Sequence, residues 1–479
     1  MAEILNTLSQ LDTIHFVFIY LVMSIIVGVL AGMKIKTASD FVNAGRNLPL
    51  PIVMATVFAT WFGSEAILGM PAEFIKEGFA GIIKDPFGAF FCLSIVGIFF
   101  AKRWYKFNVV TLANIYEKRF GAKVELLMTL AIVVSYFGWV AAQMTALGVV
   151  INILSQGSIS QEVGIIIGAS VVLLYTISGG MLSIAFNDFI QFLIIVFSLC
   201  FLMFFFSNKA GGFMHVITTA NDNNMFVFIK NYDTTSIIHF LGALFTLMLG
   251  SIPQQDIFQR VTSAKNANVA QKGMLMGASL YLLFCLMPIF LVFSATIVDP
   301  SLVNKLIEED SQMILPSFIL TYTPMFVKVL FFGSLLAAIM STASGTLLAP
   351  SVTIAENIIK KIFPNINDKE YIFVLRLTLL ITGISVTLFA LQSNSSIYEM
   401  VGDAYKITLV SAVVPLFAAM FWNRATTTGA YISIAFGLIV WIVGEIQGII
   451  EPQFFGFLAS LLGMIVGSYL SKPQENKLK

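Results

Sequence analysis

Apolar residues dominate thirteen stretches of the chain, each close to the roughly 20 residues a helix needs to cross about 30 Å of hydrocarbon. Numbered span 0 to span 12, they lie near residues 14–33, 50–70, 80–101, 124–154, 161–178, 183–207, 235–254, 272–297, 312–347, 371–392, 397–422, 427–446 and 454–471. The stretch at 312–347 is too long for one simple crossing, and predicts a short external helix followed by the true span from about 326. The stretch at 124–154 predicts a long, tilted span.

Basic residues sort by this count. With the N-terminus outside, alternate loops hold twenty of the 27 Lys and Arg, Arg260 among them, against six in the other loops (Lys76, Lys84, Lys209, Lys230, Lys305 and Lys328). That asymmetry is the positive-inside pattern, and one missed or invented span would scramble it. It predicts an integral plasma-membrane protein, read as bacterial inner membrane, with an external N-terminus and a cytoplasmic C-terminus. Composition agrees. Of 479 residues, 58% are hydrophobic and 11% charged, with mean hydropathy +0.90, whereas a soluble domain has about a quarter of its residues charged. The surrounding solvent is therefore lipid. A net charge of +1 gives no reason to expect a nucleic-acid partner. The first apolar run follows Met1-Ala2-Glu3 without a basic stretch, and reads as a retained span and not a cleaved signal. Cys92, Cys200 and Cys285 are scattered through apolar stretches, and the three histidines form no metal-ligand pair. The longest loop, about 208–234, is too short for an enzymatic or sensor domain.

Two spans are interrupted. Span 1 carries Ala59-Thr60-Trp61-Phe62-Gly63-Ser64-Glu65, then Gly69-Met70-Pro71. Span 6 carries Gly250-Ser251-Ile252-Pro253-Gln254-Gln255-Asp256. Such residues are tolerated inside a span where unwound backbone lines a cavity, and an acid there is costly without a function. The two breaks lie five spans apart. A five-span repeat is odd, so its second copy enters from the opposite side, and paired breaks then mark the substrate site of an inverted repeat. Span 8 carries Ala337-Ala338-Ile339-Met340-Ser341-Thr342-Ala343-Ser344-Gly345-Thr346. Its hydroxyls suit helix packing and equally suit a dehydrated alkali cation, which neutral oxygens can hold; both readings stand on composition.

Five motifs, TWFGSEAILGMPAEF at 60–74, YTISGGMLSIAFNDFIQF at 175–192, PQQDIFQRVTSAKN at 253–266, AAIMSTASGTLLAPS at 337–351 and VGDAYKI at 401–407, resemble the sodium/solute symporter family. That family includes proline, sodium/glucose, sialic acid and choline transporters. The resemblance implies an all-α, leucine-transporter-like fold of two five-helix inverted repeats, here 50–207 and 235–422. One extra helix lies within 1–49 and two within 427–471. It implies Na+ as the coupling ion, and no other cofactor or metal. By motif, the sodium ligands fall on the carbonyls of Ala59, Phe62 and Ala338 and the hydroxyls of Ser341 and Thr342. A second sodium, present in some members, falls on Asp188 and Ser344; the pattern's further serine is Gly345 here. Asp188 also reads as a structural acid near the cytoplasmic face.

The resemblance is closest in detail to choline-type members. Trp61 and Trp139 match two positions of an aromatic cage, and Gln254 stands at the third. An aromatic face attracts a cation by about 0.5–2 kcal/mol. Glu65, beside the unwound Gly63 and Ser64, reads as a partner for a solute ammonium, a gate, or a water-facing acid. Gln254, Gln255 and Asp256 suit polar solute groups or the cap of a second half-helix. Asp403 and Lys406, three apart in span 10, share a helix face and pair as a gate or structural ion pair. The implied function is sodium-coupled symport, by alternating access, of a small organic solute into the cell: an amino acid such as proline, or a quaternary amine such as choline or betaine. The alternative is a transporter-like sensor that signals through a separate partner. An enzyme is not expected, since no paired acids, metal cluster or activated nucleophile falls in adjacent spans.

Overall fold

The computed structural model describes residues 13–393 and 395–475, so Met1-Ala2-Glu3, Lys477 and Lys479 lie outside it. Among the described residues the regular structure is helical, apart from one isolated bridge between Leu48 and Ala264. Each of the thirteen apolar stretches falls on helix.

Among the described residues, eight helices are long and apolar enough to cross a membrane, or up to ten if each bent pair counts as one span. The longest, Gln161–Lys209, has 49 residues, about 74 Å at 1.5 Å per residue. It is two helices. At Gly180 (φ 48°, ψ −139°) the backbone leaves helical geometry, and the Ser183 hydroxyl reaches the Tyr175 carbonyl, eight residues back, at 3.3 Å. A straight helix separates such residues by about 12 Å. Only glycine fits the turn, because a Cβ at Gly180 would stand 2.3 Å from the Phe41 carbonyl oxygen. The limbs 161–179 and 181–209 are spans 4 and 5.

Span 1 breaks as its composition predicts, into Leu50–Trp61 and Glu65–Ala80, bent by 57°. Span 6 runs longer than hydropathy predicts. Thr234–Met248 is followed by an unwound stretch and then by Gln255–Ser263. The sequence places 255–263 beyond the span and Arg260 among the cytoplasmic cations. In the fold this helix is buried throughout and Arg260 is 1% exposed. A half-helix reading QDIFQRVTS is too polar for a hydropathy window, but Gln255, Gln259, Arg260 and Thr262 each make hydrogen bonds inside the protein. The basic asymmetry of the loops survives the loss of this one cation. Span 10 is also bent, by 48°, between Ile397–Ser411 and Val413–Phe421. The short helix expected before span 8 is Ile314–Tyr322, preceded by a further helix, Pro300–Glu309, and span 8 itself runs Met325–Ile362.

Span 8 is the axis of the molecule. Every residue from Ser334 to Thr353 is buried, and the helix packs against spans 1, 3, 5 and 9. Spans 11 and 12 pack mainly on each other and expose Ile439, Ile442, Leu462 and Val466. Such apolar exposure fits a lipid-facing surface.

Candidate functional site

Trp61 ends the first half of span 1. The Phe62 N–H still bonds the Phe58 carbonyl at 2.9 Å, but Phe62 takes φ −89°, ψ 72° and the helix stops. The break turns the Ala59 carbonyl toward span 8, where the Thr342 hydroxyl donates to it at 3.4 Å. Gly63 lies in the same junction. A Cβ there would stand 2.5 Å from Glu65 Oε2, 2.8 Å from Thr342 Oγ1 and 2.9 Å from Gln143 Oε1. One turn before Thr342, Ala338 is fully buried. Ser341 donates its hydroxyl to Asp188 Oδ1 at 2.6 Å, and Thr56 donates to the other oxygen of the same carboxylate. With its proton directed at Asp188, the Ser341 oxygen keeps its lone pairs for an electrophile. Thus the freed backbone at 59–63 and the hydroxyls at 341–342 meet, with Asp188 behind them. Ser344 does not turn to Asp188; it bonds back to the Ser341 carbonyl at 3.0 Å.

Aromatic rings line the next layer. Trp61 and Trp139 stand 5.5 Å apart, edge to face. Tyr405, on span 10, stacks on Trp61 at 6.3 Å and meets Trp139 at 5.5 Å. Tyr405 therefore supplies the wall that Gln254 does not, and its buried hydroxyl has no protein partner among the described residues. Tyr136 and Tyr281 flank the two tryptophans. Gln254 is held on span 3, its amide donating to the Ser135 hydroxyl at 2.9 Å. Gln255 faces elsewhere, accepting from the Leu112 N–H at 2.8 Å and donating to the Val110 carbonyl at 3.3 Å.

Two carboxylates close the cage. Glu65 accepts from Trp139 Nε1 at 3.0 Å and from Gln143 Nε2 at 2.8 Å. Gln143 in turn accepts the Ser64 N–H at 2.9 Å, so span 3 clamps the second half of span 1. Asp256 accepts from Trp61 Nε1 at 3.2 Å and from the Tyr136 hydroxyl at 2.5 Å. These partners are donors, the set an ionised carboxylate takes. A third acid, Asp85, accepts the Tyr281 hydroxyl. Asp403 and Lys406 do pair, at 2.9 Å, and Glu445 of span 11 joins them at 3.4 Å. Asp403 is largely exposed, so this network lies on the periphery of the bundle and outside the cage.

Sequence reading passes over Gln143, Tyr405 and Asp85, and counts Arg260 as a loop cation. Gln143 and Asp85 carry a usable signal, since each is a polar residue in an otherwise apolar segment. Tyr405 carries none, because an aromatic ring in a span is ordinary. All the cage residues are buried, so the site is closed to both faces.

The sodium:solute symporter family model matches residues 41–437. The high affinity choline transporter 1 of Homo sapiens is 25% identical over 442 residues, covering 89% of this chain and 76% of that protein. The high-affinity proline transporter PutP of Bacillus subtilis is 26% identical over 469 residues, covering 94% and 96%. Among solved structures, a Na+-coupled sialic acid symporter in a substrate-bound outward-open state superposes with TM-score 0.84 at 20% identity, covering 97% of this chain and 98% of that one. The fold is thus leucine-transporter-like, and the chain belongs to the sodium:solute symporter family: an integral membrane protein, a transporter and not an enzyme, that couples Na+ to the symport of a small solute.

Proposed function

We propose that the chain imports a small organic cation, an ammonium compound, with sodium bound between spans 1 and 8. The carrying observation is the Glu65 carboxylate, fixed by Trp139 and Gln143 beside the Trp61–Trp139–Tyr405 box. An aromatic box beside an anion suits an ammonium by cation–π attraction and by charge. Sodium is assigned to the carbonyls of Ala59, Phe62 and Ala338 and the hydroxyls of Ser341 and Thr342. Trp61, Gly63, Ser64, Glu65, Trp139 and Tyr405 are assigned to the solute, with Gln254 at the edge. The repeats are 50–207 and 235–422, in a thirteen-span chain with an external N-terminus and a cytoplasmic C-terminus, in a bacterial inner membrane.

Coupling follows from the shared break. Sodium replaces the Thr342–Ala59 hydrogen bond and fixes residues 59–63, which orders Gly63, Ser64 and Glu65 for the solute. Spans 1, 2, 6 and 7 then rock against the remaining spans and open inward. One sodium crossing about 100 mV contributes ~2.3 kcal/mol, and a tenfold gradient ~1.4 kcal/mol. The total of ~3.7 kcal/mol sustains a few-hundred-fold accumulation of a neutral solute. A cationic solute also responds to the potential and accumulates further.

The test is thermal stabilisation of purified protein by choline, betaine, proline and a small carboxylate, each with Na+ and with K+. Stabilisation by choline or another ammonium compound in Na+ alone is expected. If the carboxylate is the solute that stabilises, the cationic reading fails.

A further inference from the structure

Of the three acids at the cage, the symport reading gives a cation only to Glu65, and Asp85 is left without a role. Asp85 precedes Pro86 at the start of span 2, in extended backbone (φ −139°, ψ 123°), and is 3% exposed. An aspartate in such a place ordinarily caps the helix that follows. Among the described residues its carboxylate makes no such cap. It reaches across to span 7 and accepts the Tyr281 hydroxyl. The Tyr281 ring meets Trp61 edge to face at 6.4 Å, so the group that holds Asp85 also flanks the cage.

Charge does not balance there. Asp256 has Arg260 one turn on in its own helix, and the guanidinium's charge bears on it. Glu65 and Asp85 bear on each other, and among the described residues neither is ion-paired. Lys84, the neighbour of Asp85 in sequence, sets its ammonium over the Tyr398 ring, 5.8 Å from the centroid. Like charges buried together repel, and one ammonium at Glu65 offsets only one of the two. The Tyr405 hydroxyl is a second, separate observation. It is buried, has no partner among the described residues, and lies within electrostatic reach of Glu65, Asp85 and Asp256 together. A buried hydroxyl is costly until something bonds it, and its oxygen can accept an N–H.

We propose that Asp85 is a second solute-binding acid and that the solute is a small diamine, a dication. One ammonium enters the aromatic box against Glu65, the other pairs with Asp85, and the Tyr405 hydroxyl accepts an ammonium N–H between them. This inference rests on the cationic reading of the same cage and names its substrate class. Asp85 thereby sets specificity, because a monoamine leaves its carboxylate buried and unpaired, which costs affinity.

The test is calorimetric binding to the purified protein in saturating Na+. Diaminopropane, diaminobutane and diaminopentane, with an amine at each end, are each set against the monoamine of the same length. One charge-assisted contact predicts that the best-fitting diamine binds about 10–150-fold tighter than its monoamine, and that Asp85→Asn abolishes this preference. Asp85→Glu keeps the charge but extends it by one methylene, so the preferred diamine should become one carbon shorter; this variant decides the matter should the asparagine variant not fold. Amines that bind with no preference for the diamine overturn the inference and leave the cationic reading standing. So does a preference that Asp85→Asn leaves intact, or a preferred length that Asp85→Glu leaves unchanged. If no amine binds and a small carboxylate does, the cationic reading itself fails, and this inference with it.

Discussion

Substitution of Gly63 by alanine probes the junction with one carbon atom. No positive φ constrains Gly63, so the effect is one of space alone. The new Cβ would lie 2.5 Å from Glu65 Oε2, 2.8 Å from Thr342 Oγ1 and 2.9 Å from Gln143 Oε1, and ordinary contact begins near 3.4 Å. Glu65 must retreat by about 0.9 Å, and the other two by about 0.5–0.6 Å, or the unwound segment must move away from all three. Overpacking of this kind costs about 1–3 kcal/mol. A binding site tolerates displacements of only about 0.5 Å, so the cost falls on the sodium-bound geometry. The expected loss in sodium affinity is about 5–150-fold. The assay is 22Na+ binding to purified protein, with Gly333→Ala as the control. Gly333 is on span 8, and a Cβ there meets nothing within 4 Å. Wild-type sodium affinity in Gly63→Ala, in folded protein, refutes the placement of sodium at this junction.

Three further outcomes follow from the same geometry. Glu65→Gln places an amide donor against the Gln143 amide and removes the charge; loss of a charge-assisted interaction worth about 1.5–3 kcal/mol predicts a 10–150-fold weaker affinity for an ammonium solute, read by calorimetry in saturating Na+. Tyr405→Ala removes the third wall of the box, and a cation–π contribution of about 0.5–2 kcal/mol predicts a 2–30-fold rise in the dissociation constant with sodium stoichiometry unchanged. Gly437→Ala drives a Cβ to 1.9 Å from the Val410 carbonyl oxygen, where span 11 meets span 10; a lower melting temperature by scanning fluorimetry is expected, and an unchanged one would contradict that packing.

The break in span 1 is legible in the sequence because Gly63 and Glu65 interrupt an otherwise apolar run, and both conflict with lipid unless the backbone unwinds. The hydroxyls at 341–342 are visible too, but composition alone reads them as packing or as ligands. What separates the readings is the contact between Thr342 and Ala59, 283 residues apart, which no local pattern encodes. Residues 255–263 show the opposite failure. They look like a loop because hydropathy adds up polar side chains without knowing that Gln259 donates to the Val42 carbonyl or Arg260 to Thr60. Gly345 reads as a departure from the serine pattern, and no local pattern shows that a Cβ there would stand 2.3 Å from Arg260 Nη2. Tyr405 becomes a cage wall through the packing of span 10 against Trp61 and Trp139, a tertiary fact that leaves no trace in periodicity.

Accumulation of the stabilising ammonium solute in proteoliposomes, driven by an imposed inward Na+ gradient, tests the central account most directly when wild type is set beside the Ser341→Ala/Thr342→Ala double variant. Wild type should concentrate solute when Na+ is outside and not when K+ replaces it, and the double variant, still folded by its melting transition, should lose that sodium stimulation. Sodium-driven uptake that persists in the double variant would contradict coupling through the oxygens of spans 1 and 8.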